Sequence, residues 1–468
     1  MVSSLLPTTE AASRFDWPLA YDAEQALGRL IEAFLLRNGF ARRLGERMRD
    51  ETGTDFYEWV DHLVVSPEDA AVLRAAGMRE TDAPAPAGTV VLHHPRAMMP
   101  RVLERAGGSR DGVPSVLAIR PEVLADFLSH QDVEARIEGE VGARLRRAVI
   151  AREHGTQLEA VERLGYRGFA IDTPRPETGA AVARARELFR ARKRDFADDA
   201  EGVRHAMAVL DHALALVPRD VACELFFAEE RVFWEFRNRA ARVQKRRQDA
   251  LGLGWGNHDH HTFRCSRKHF ADAVQFFSRL GLEKRERFYA GDEAGWGAQV
   301  MEAPAVGIVV FADVDLLPGE VDIDFAAQRL PEMKELRTVG LWCALHGDSF
   351  LQSGMHHLEA RFDFARLRDQ LAEEGVATMK PFSDFEFLKQ AFTEGERWRV
   401  RPERVDALAQ RGLITAAQAE GFRRDGAIGS HLENLQRRGG FKGFNQKAVS
   451  AIIAATDPRK QQLAAHTA

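Results

Sequence analysis

Cysteine is scarce in this sequence, with three residues in 468: Cys223, Cys265 and Cys343. The number is odd, the three are far apart, and none sits in a C-x-x-C pair. Neither a disulfide framework nor a zinc–thiolate site is therefore indicated, and a reducing cytoplasm fits. No window approaches ~18 uninterrupted apolar residues, so no segment is expected to span a membrane. The N-terminus, Met-Val-Ser-Ser-Leu-Leu-Pro, lacks a basic stretch followed by an apolar run, and no signal peptide is expected. Positive charge is not in excess either. The net charge is −5, which argues against a nucleic-acid partner. Two local basic runs, Arg190-Ala-Arg-Lys-Arg194 and Gln244-Lys-Arg-Arg247, read as solvated faces of long helices.

What is present is an ordinary globular composition, 45% hydrophobic and 29% charged, in a chain long enough for two or three domains. Residues 1–20 read as a loose arm, and 23–50 carry helical periodicity through Leu27, Leu30, Ile31 and Phe34. Strands are expected over 56–65, 89–94 and 115–119, with a Ser66-capped helix ending at Gly77. The pattern over 122–250 is mostly helical, including helices at 138–154, 158–164, 177–196, 202–216 and a long one at 221–251. After Gly256 the order becomes β-α-β-β-β: a strand from His261, a helix over 268–280, and strands at 285–290, 298–302 and 306–310. A second round opens at Met355, with a helix at 365–374, an inserted helical stretch at 403–422, a strand at 429–435 and a closing helix at 446–455. The division is therefore 1–250, helix-rich with a degenerate strand-helix-strand module at 56–120; 251–456, a repeated β-α-β-β-β unit; and 457–468, a disordered tail. The fold class is α+β.

Each of the two rounds opens on histidines. Trp255-Gly-Asn-His-Asp-His-His-Thr-Phe-Arg264 holds His258, Asp259, His260, His261 and Arg264, and Met355-His-His-Leu358 holds His356 and His357. Neutral imidazole is the commonest transition-metal ligand. Side chains alternate along a strand. His258, His260 and Thr262 thus face one way, with Arg264, and His261 and Phe263 the other. A carboxylate near the end of a round would complete a ligand set, and Glu302 and Glu433 are the candidates. Two imidazoles and one carboxylate suit non-haem Fe(II) and O2 chemistry, and Zn(II) would accept the same donors. Arg264 is a candidate carboxylate clamp, since its fork matches a carboxylate bidentately; a salt bridge to Asp259 or another acid is the alternative. His62, His93, His94, His346 and His431 read as structural.

At these residues the sequence resembles a known family. His260-His-Thr-Phe-Arg264 is similar to the H-x-x-x-R strand of the 2-oxoadipate dioxygenase/decarboxylase family, also called 2-hydroxyglutarate synthase or domain of unknown function 1338. Met355-His-His-Leu-Glu-Ala-Arg361 resembles its N-H-L-x-x-R motif, and Glu433-Asn-Leu-Gln-Arg-Arg-Gly439 its E-x-x-Q-R-G motif, with one extra Arg. The three fall in the family's order and cover about residues 255–456. The resemblance implies a vicinal oxygen chelate fold, in which paired β-α-β-β-β modules form a curved mixed sheet around a metal, here beside a large, mainly helical N-terminal part. It implies Fe(II) on His260, His357 and Glu433, O2 as co-substrate, and a small 2-oxo acid like 2-oxoadipate converted to a hydroxy acid and CO2. Arg264 would hold a substrate carboxylate. His258, His261 and His356 would be secondary. The competing readings are a glyoxalase-like Zn or Ni isomerase, with Glu302 as a fourth ligand, and a non-catalytic binding protein of the same fold. Oligomeric state is not indicated.

Overall fold

The computed structural model describes residues 17–255, 259–291, 294–352, 363–445, 453 and 456–459, with backbone alone at 259, 260 and 321. Helix α1 (Tyr21–Arg37) buries Leu27, Leu30, Ile31 and Phe34 on one stripe. Asn38 then accepts from Ala41 N and starts α2 (Gly39–Arg47). A short α3 (Phe56–Trp59) leads into β1 (Val60–Val65), and Ser66 caps α4 (Pro67–Ala75) by accepting from Asp69 N at 3.2 Å. Strands β2 (Arg79–Thr81), β3 (Val90–His93) and β4 (Arg101–Glu104) follow, and β4 returns parallel to β1.

After a two-residue ladder, β5 (Ser109–Arg110) with β6 (Val113–Pro114), comes β7 (Val116–Ile119), antiparallel to β1. Helix α5 (Leu124–His130) precedes β8 (Leu145–Glu153) and β9 (Thr156–Arg163), and β9 returns parallel to β7. The result is one sheet in the order β2-β3-β4-β1-β7-β9-β8. It contains two rounds of one winding: β1-α4-β2-β3-β4, and a round one strand shorter, β7-α5-β8-β9. The helices expected over 138–154 and 158–164 are thus replaced by the hairpin β8–β9. The cause is at the turn: His154 and Gly155 adopt φ of 45° and 79°, the left-handed pair that closes a two-residue hairpin.

The helical block is α6 (Thr178–Arg190), α7 (Asp199–Leu216), α8 (Arg219–Phe236) and α9 (Arg239–Asp249). The long helix expected over 221–251 breaks at Asn238, whose Oδ1 accepts from Ala241 N at 2.8 Å while its Nδ2 donates to Ser430 Oγ at 2.8 Å. The run 190–194 is not a solvated helix face. It follows the end of α6, and Arg192 is buried, donating to the equally buried Glu230 at 2.7 Å. In the second basic run Gln244 is fully buried.

The first round of the C-terminal half is complete: β10 (Asp259–Arg264), α10 (Phe270–Arg279), β11 (Glu283–Tyr289), β12 (Trp296–Ala303) and β13 (Ile308–Asp315). Its sheet is ordered β10-β13-β12-β11, with β13 parallel to β10. One face packs on the helical block through Phe263, Phe276, Phe277, Val310 and Phe227. Over the other face lies α11 (Thr338–His346), whose first-turn N–H groups are capped by a neighbouring strand: Asp315 accepts from Arg337, Val339 and Gly340 N at 2.9–3.1 Å. Next come α12 (Ser349–Gln352), α13 (Phe364–Glu373), β14 (Ser383–Phe385), β15 (Leu388–Phe392) and β16 (Glu396–Trp398). The inserted α14 (Pro402–Gln410) and α15 (Ala416–Asp425) lead to β17 (Ala427–Ser430) and β18 (Glu433–Arg437). The order β14-β15-β18 repeats β11-β12-β13 of the first round. The strand expected at 355–362 lies outside the described residues, as does most of the helix expected at 446–455. Among the described residues no helix is long and apolar enough to cross a membrane.

Candidate metal and carboxylate site

Strand β10 sorts its own residues between two environments. His261 and Phe263 enter the aromatic core, His261 with its ring 4.5 Å from that of Phe227. Thr262 and Arg264 take the opposite face. Residues paired across neighbouring strands share a face, so the register defines rows on that face. Position 260 pairs with Val309, and Val309 with Glu302. Arg264 pairs with Asp313, and Asp313 with Ala298.

Arg264 is 3% exposed. Its Nη2 donates to Thr456 Oγ1 at 3.3 Å, and its guanidinium lies 5.8 Å from the Trp342 ring. Among the described residues no carboxylate lies within ion-pair distance of it. Asp313, its neighbour in register, is pushed up to about 8 by burial, which the Arg264 charge partly offsets. Arg264 is therefore a buried cation beside an acid that keeps its proton near neutrality. Burying a guanidinium unmatched is costly, and an incoming carboxylate would offset that cost.

Glu433 opens β18 in register with Phe392 and is 2% exposed. Gln390, on the same face of β15, donates to Glu433 Oε1 at 2.9 Å. A hydrogen bond of this kind fixes a carboxylate's orientation, as the hydrogen bonds to metal-ligating carboxylates do. His431, two residues earlier, stacks on Phe392 at 3.9 Å and is held down to about 3 by burial and then by the Arg264 charge. That influence puts Arg264 and the approach to Glu433 in one neighbourhood.

Glu302 sits in the row of position 260 but is held by cations: Lys442 Nζ at 3.1 Å and Arg285 Nη1 at 3.4 Å. Its charge is already matched. His258, His356 and His357 lie outside the described residues, and His260 is described in backbone alone. Of the expected ligands only the Glu433 carboxylate can be judged, and its burial and hydrogen bond to Gln390 are compatible with a ligand role; among the described residues no group of three or more His, Cys, Asp and Glu side chains comes together to hold a metal. A cavity of about 780 Å³ past the end of β10, lined by Ser266, His269, Asp348 and Arg404 among others, contains none of the expected site residues. Of the residues treated as structural, His346 bonds Ile428 O at 3.1 Å between Trp342 and Trp398, and His62 bonds Asp61 at 2.7 Å. Sequence reasoning passed over Asp313. Its signal was an acid at alternate positions, Asp313 and Asp315, in an otherwise apolar strand.

No family model and no curated protein matches the chain. Solved structures give loose likenesses. A mutant of 4-hydroxymandelate synthase from Streptomyces coelicolor matches at 12% identity over 86% of this chain and 98% of that one, with a TM-score of 0.28. A putative glyoxalase superfamily protein from Ralstonia eutropha JMP134 matches at 14% identity over 55% and 95%, TM-score 0.30. The uncharacterized protein YdcJ from Shigella flexneri, which includes domain DUF1338, matches at 14% over 60% and 86%, TM-score 0.23. At these scores the architecture of this chain rests on its own strand order.

Proposed function

We propose that this chain is a non-haem iron dioxygenase of the vicinal oxygen chelate kind, converting a 2-oxo acid to a hydroxy acid and CO2. The reading rests on Arg264: a buried guanidinium without an acid partner among the described residues, four positions along β10 from His260. Four residues of extended strand are about 13 Å, room for a short acid between metal and clamp. In this reading His260, His357 and Glu433 would hold Fe(II), which would supply a redox centre with open positions for a 2-oxo acid and O2. Gln390 keeps the Glu433 carboxylate oriented. Arg264 binds the substrate's carboxylate and fixes which carbon faces the metal. Phe311 and Phe288, covered by Phe444 at 5.1–5.2 Å between ring centres, exclude water from the open face of the sheet. The ion pairs of Glu302 weigh against the isomerase reading that would use it as a fourth ligand.

The test is anaerobic reconstitution with Fe(II), then O2 uptake across a series of 2-oxo acids. Uptake matched one-for-one by CO2 release supports the proposal. Turnover that persists without O2 would favour an isomerase, and a chain indifferent to every metal would favour a binding protein.

A further inference from the structure

The N-terminal sheet repeats the layout of the C-terminal one, and its corresponding row carries different chemistry. His62 on β1 pairs with Arg101 on one side and Ala118 on the other, and Ala118 pairs with Glu159. His93 lies one residue beyond the Leu92–Val102 pair, next to Arg101. These residues share the face opposite the helix-packed core of Leu63, Val65, Val102 and Leu117. The loop after β9 folds over that face: the Phe169 ring lies 4.9 Å from His62, and Arg167 projects from the same loop.

The face is rich in guanidinium, and its charges are unequally matched. Asp61 falls at a bulge in the β1–β7 ladder, and Arg163 grips it with Nε and Nη2 at 2.6 and 2.7 Å. Arg163 Nη1 also donates to Gly168 O at 2.6 Å, so this arginine is fully satisfied. Arg101 and Arg167 are not. Arg101 Nη1 donates to the Arg167 carbonyl, and Arg167 Nη1 reaches the Pro304 carbonyl at 3.4 Å. Neither has a carboxylate within 4.0 Å among the described residues. Both are half-buried, and Arg167 lies against Gly307, where even a Cβ would come within 3.1 Å of its guanidinium. Burial and the neighbouring charges of Arg101, Arg120 and Arg163 push Arg167 down to about 9. His93 Nδ1 is buried on the same face with no hydrogen-bond partner among the described residues.

We propose that this face binds a small oxyanion, a molecule bearing a carboxylate or phosphate, held between the guanidiniums of Arg101 and Arg167. A planar guanidinium fork matches either group bidentately. Two unmatched forks on one half-buried face select an anion, whereas in the matching row of the C-terminal sheet the one described charge, Glu302, is already paired with Lys442 and Arg285. The site stands on these two arginines and does not depend on the iron reading.

The experiment is thermal unfolding and calorimetric titration of the full chain with inorganic phosphate and, separately, succinate, at ionic strength held constant with sodium chloride. Saturable binding of at least one is expected. Response to phosphate alone identifies a phosphate-bearing ligand, and response to succinate alone a carboxylate-bearing one. Arg101→Gln and Arg167→Gln should each weaken that binding by roughly 10-fold or more. Neither should lower stability in the absence of the anion, since each removes an unmatched charge. Arg264→Gln should leave intact the component of binding that Arg167→Gln removes, whatever succinate Arg264 itself holds. Absence of saturable binding, binding lost in Arg264→Gln but kept in Arg167→Gln, or a destabilised anion-free Arg167→Gln protein would each overturn the proposal.

Discussion

The seven-stranded N-terminal sheet and the four-stranded C-terminal sheet share a winding and differ in one row of side chains. In the N-terminal sheet the row runs Arg101, His62, Ala118, Glu159; in the C-terminal sheet it runs Glu302, Val309 and position 260. Both sheets pack one face on helices through the same kind of apolar residue. The lesson is that one winding supplies the same floor twice while the side chains set on it differ. The buried arginines sharpen the point. Arg163 is matched by Asp61 and Arg192 by Glu230, whereas Arg264 has no acid partner among the described residues. The matched arginines tie distant segments of the fold together through an acid; Arg264, like the half-buried Arg101 and Arg167, has no such tie among the described residues.

The largest expected effect tests that division. Asp61→Ala leaves Arg163 buried without its partner and should cost about 3–5 kcal/mol, read by urea denaturation. A loss under about 1 kcal/mol would show that Arg163 is compensated elsewhere. Next, Glu433→Ala should weaken Fe(II) binding more than the ~10–100-fold typical of residues that merely support a ligand, while Glu159→Ala, on the sheet without the ligand set, should leave iron content unchanged. His261→Leu should also retain iron, because His261 belongs to the aromatic core.

Arg264→Ala should lower kcat/KM by roughly 10–100-fold, the worth of one charge-assisted bond, with iron retained and stability nearly unchanged. A stability loss as large as that of Asp61→Ala would mean Arg264 is structural. A further effect, read along pH and not in activity, is a pH dependence at Asp313. The unfolded chain gives up this proton near its ordinary 3.8, and the folded chain keeps it to about 8. The folded state therefore binds more protons in between, and stability falls as pH rises through that window. Asp313→Asn removes the effect, so the variant should gain on wild type from about pH 4 to about pH 8; parallel stability curves would contradict this.

Much of the fold was legible because local signals agreed. The Phe270–Phe277 stripe and Gly281, at φ 95°, bound α10, and alternation in β10 separates His261 from Thr262 and Arg264. The hairpin β8–β9 was not legible from periodicity. Leu145, Ala148, Val149 and Arg152 recur at helical spacing among good helix formers, and the turn His154-Gly155 carried the deciding signal. Charge runs misled where pairing lay far off in sequence: Arg192 is buried because Glu230, 38 residues on, meets it. Of the candidate site, strand alternation foretold that Arg264 lies opposite His261, and Glu433 stands buried at the start of β18. Asp313 needed the register of β10 against β13, which no local pattern contains.

The most direct measurement is Fe(II) stoichiometry after anaerobic reconstitution and desalting, for wild type, Glu433→Ala and Glu159→Ala side by side. The account predicts one iron per chain in wild type and Glu159→Ala and almost none in Glu433→Ala. Full iron occupancy in Glu433→Ala, or iron lost from Glu159→Ala instead, would contradict it.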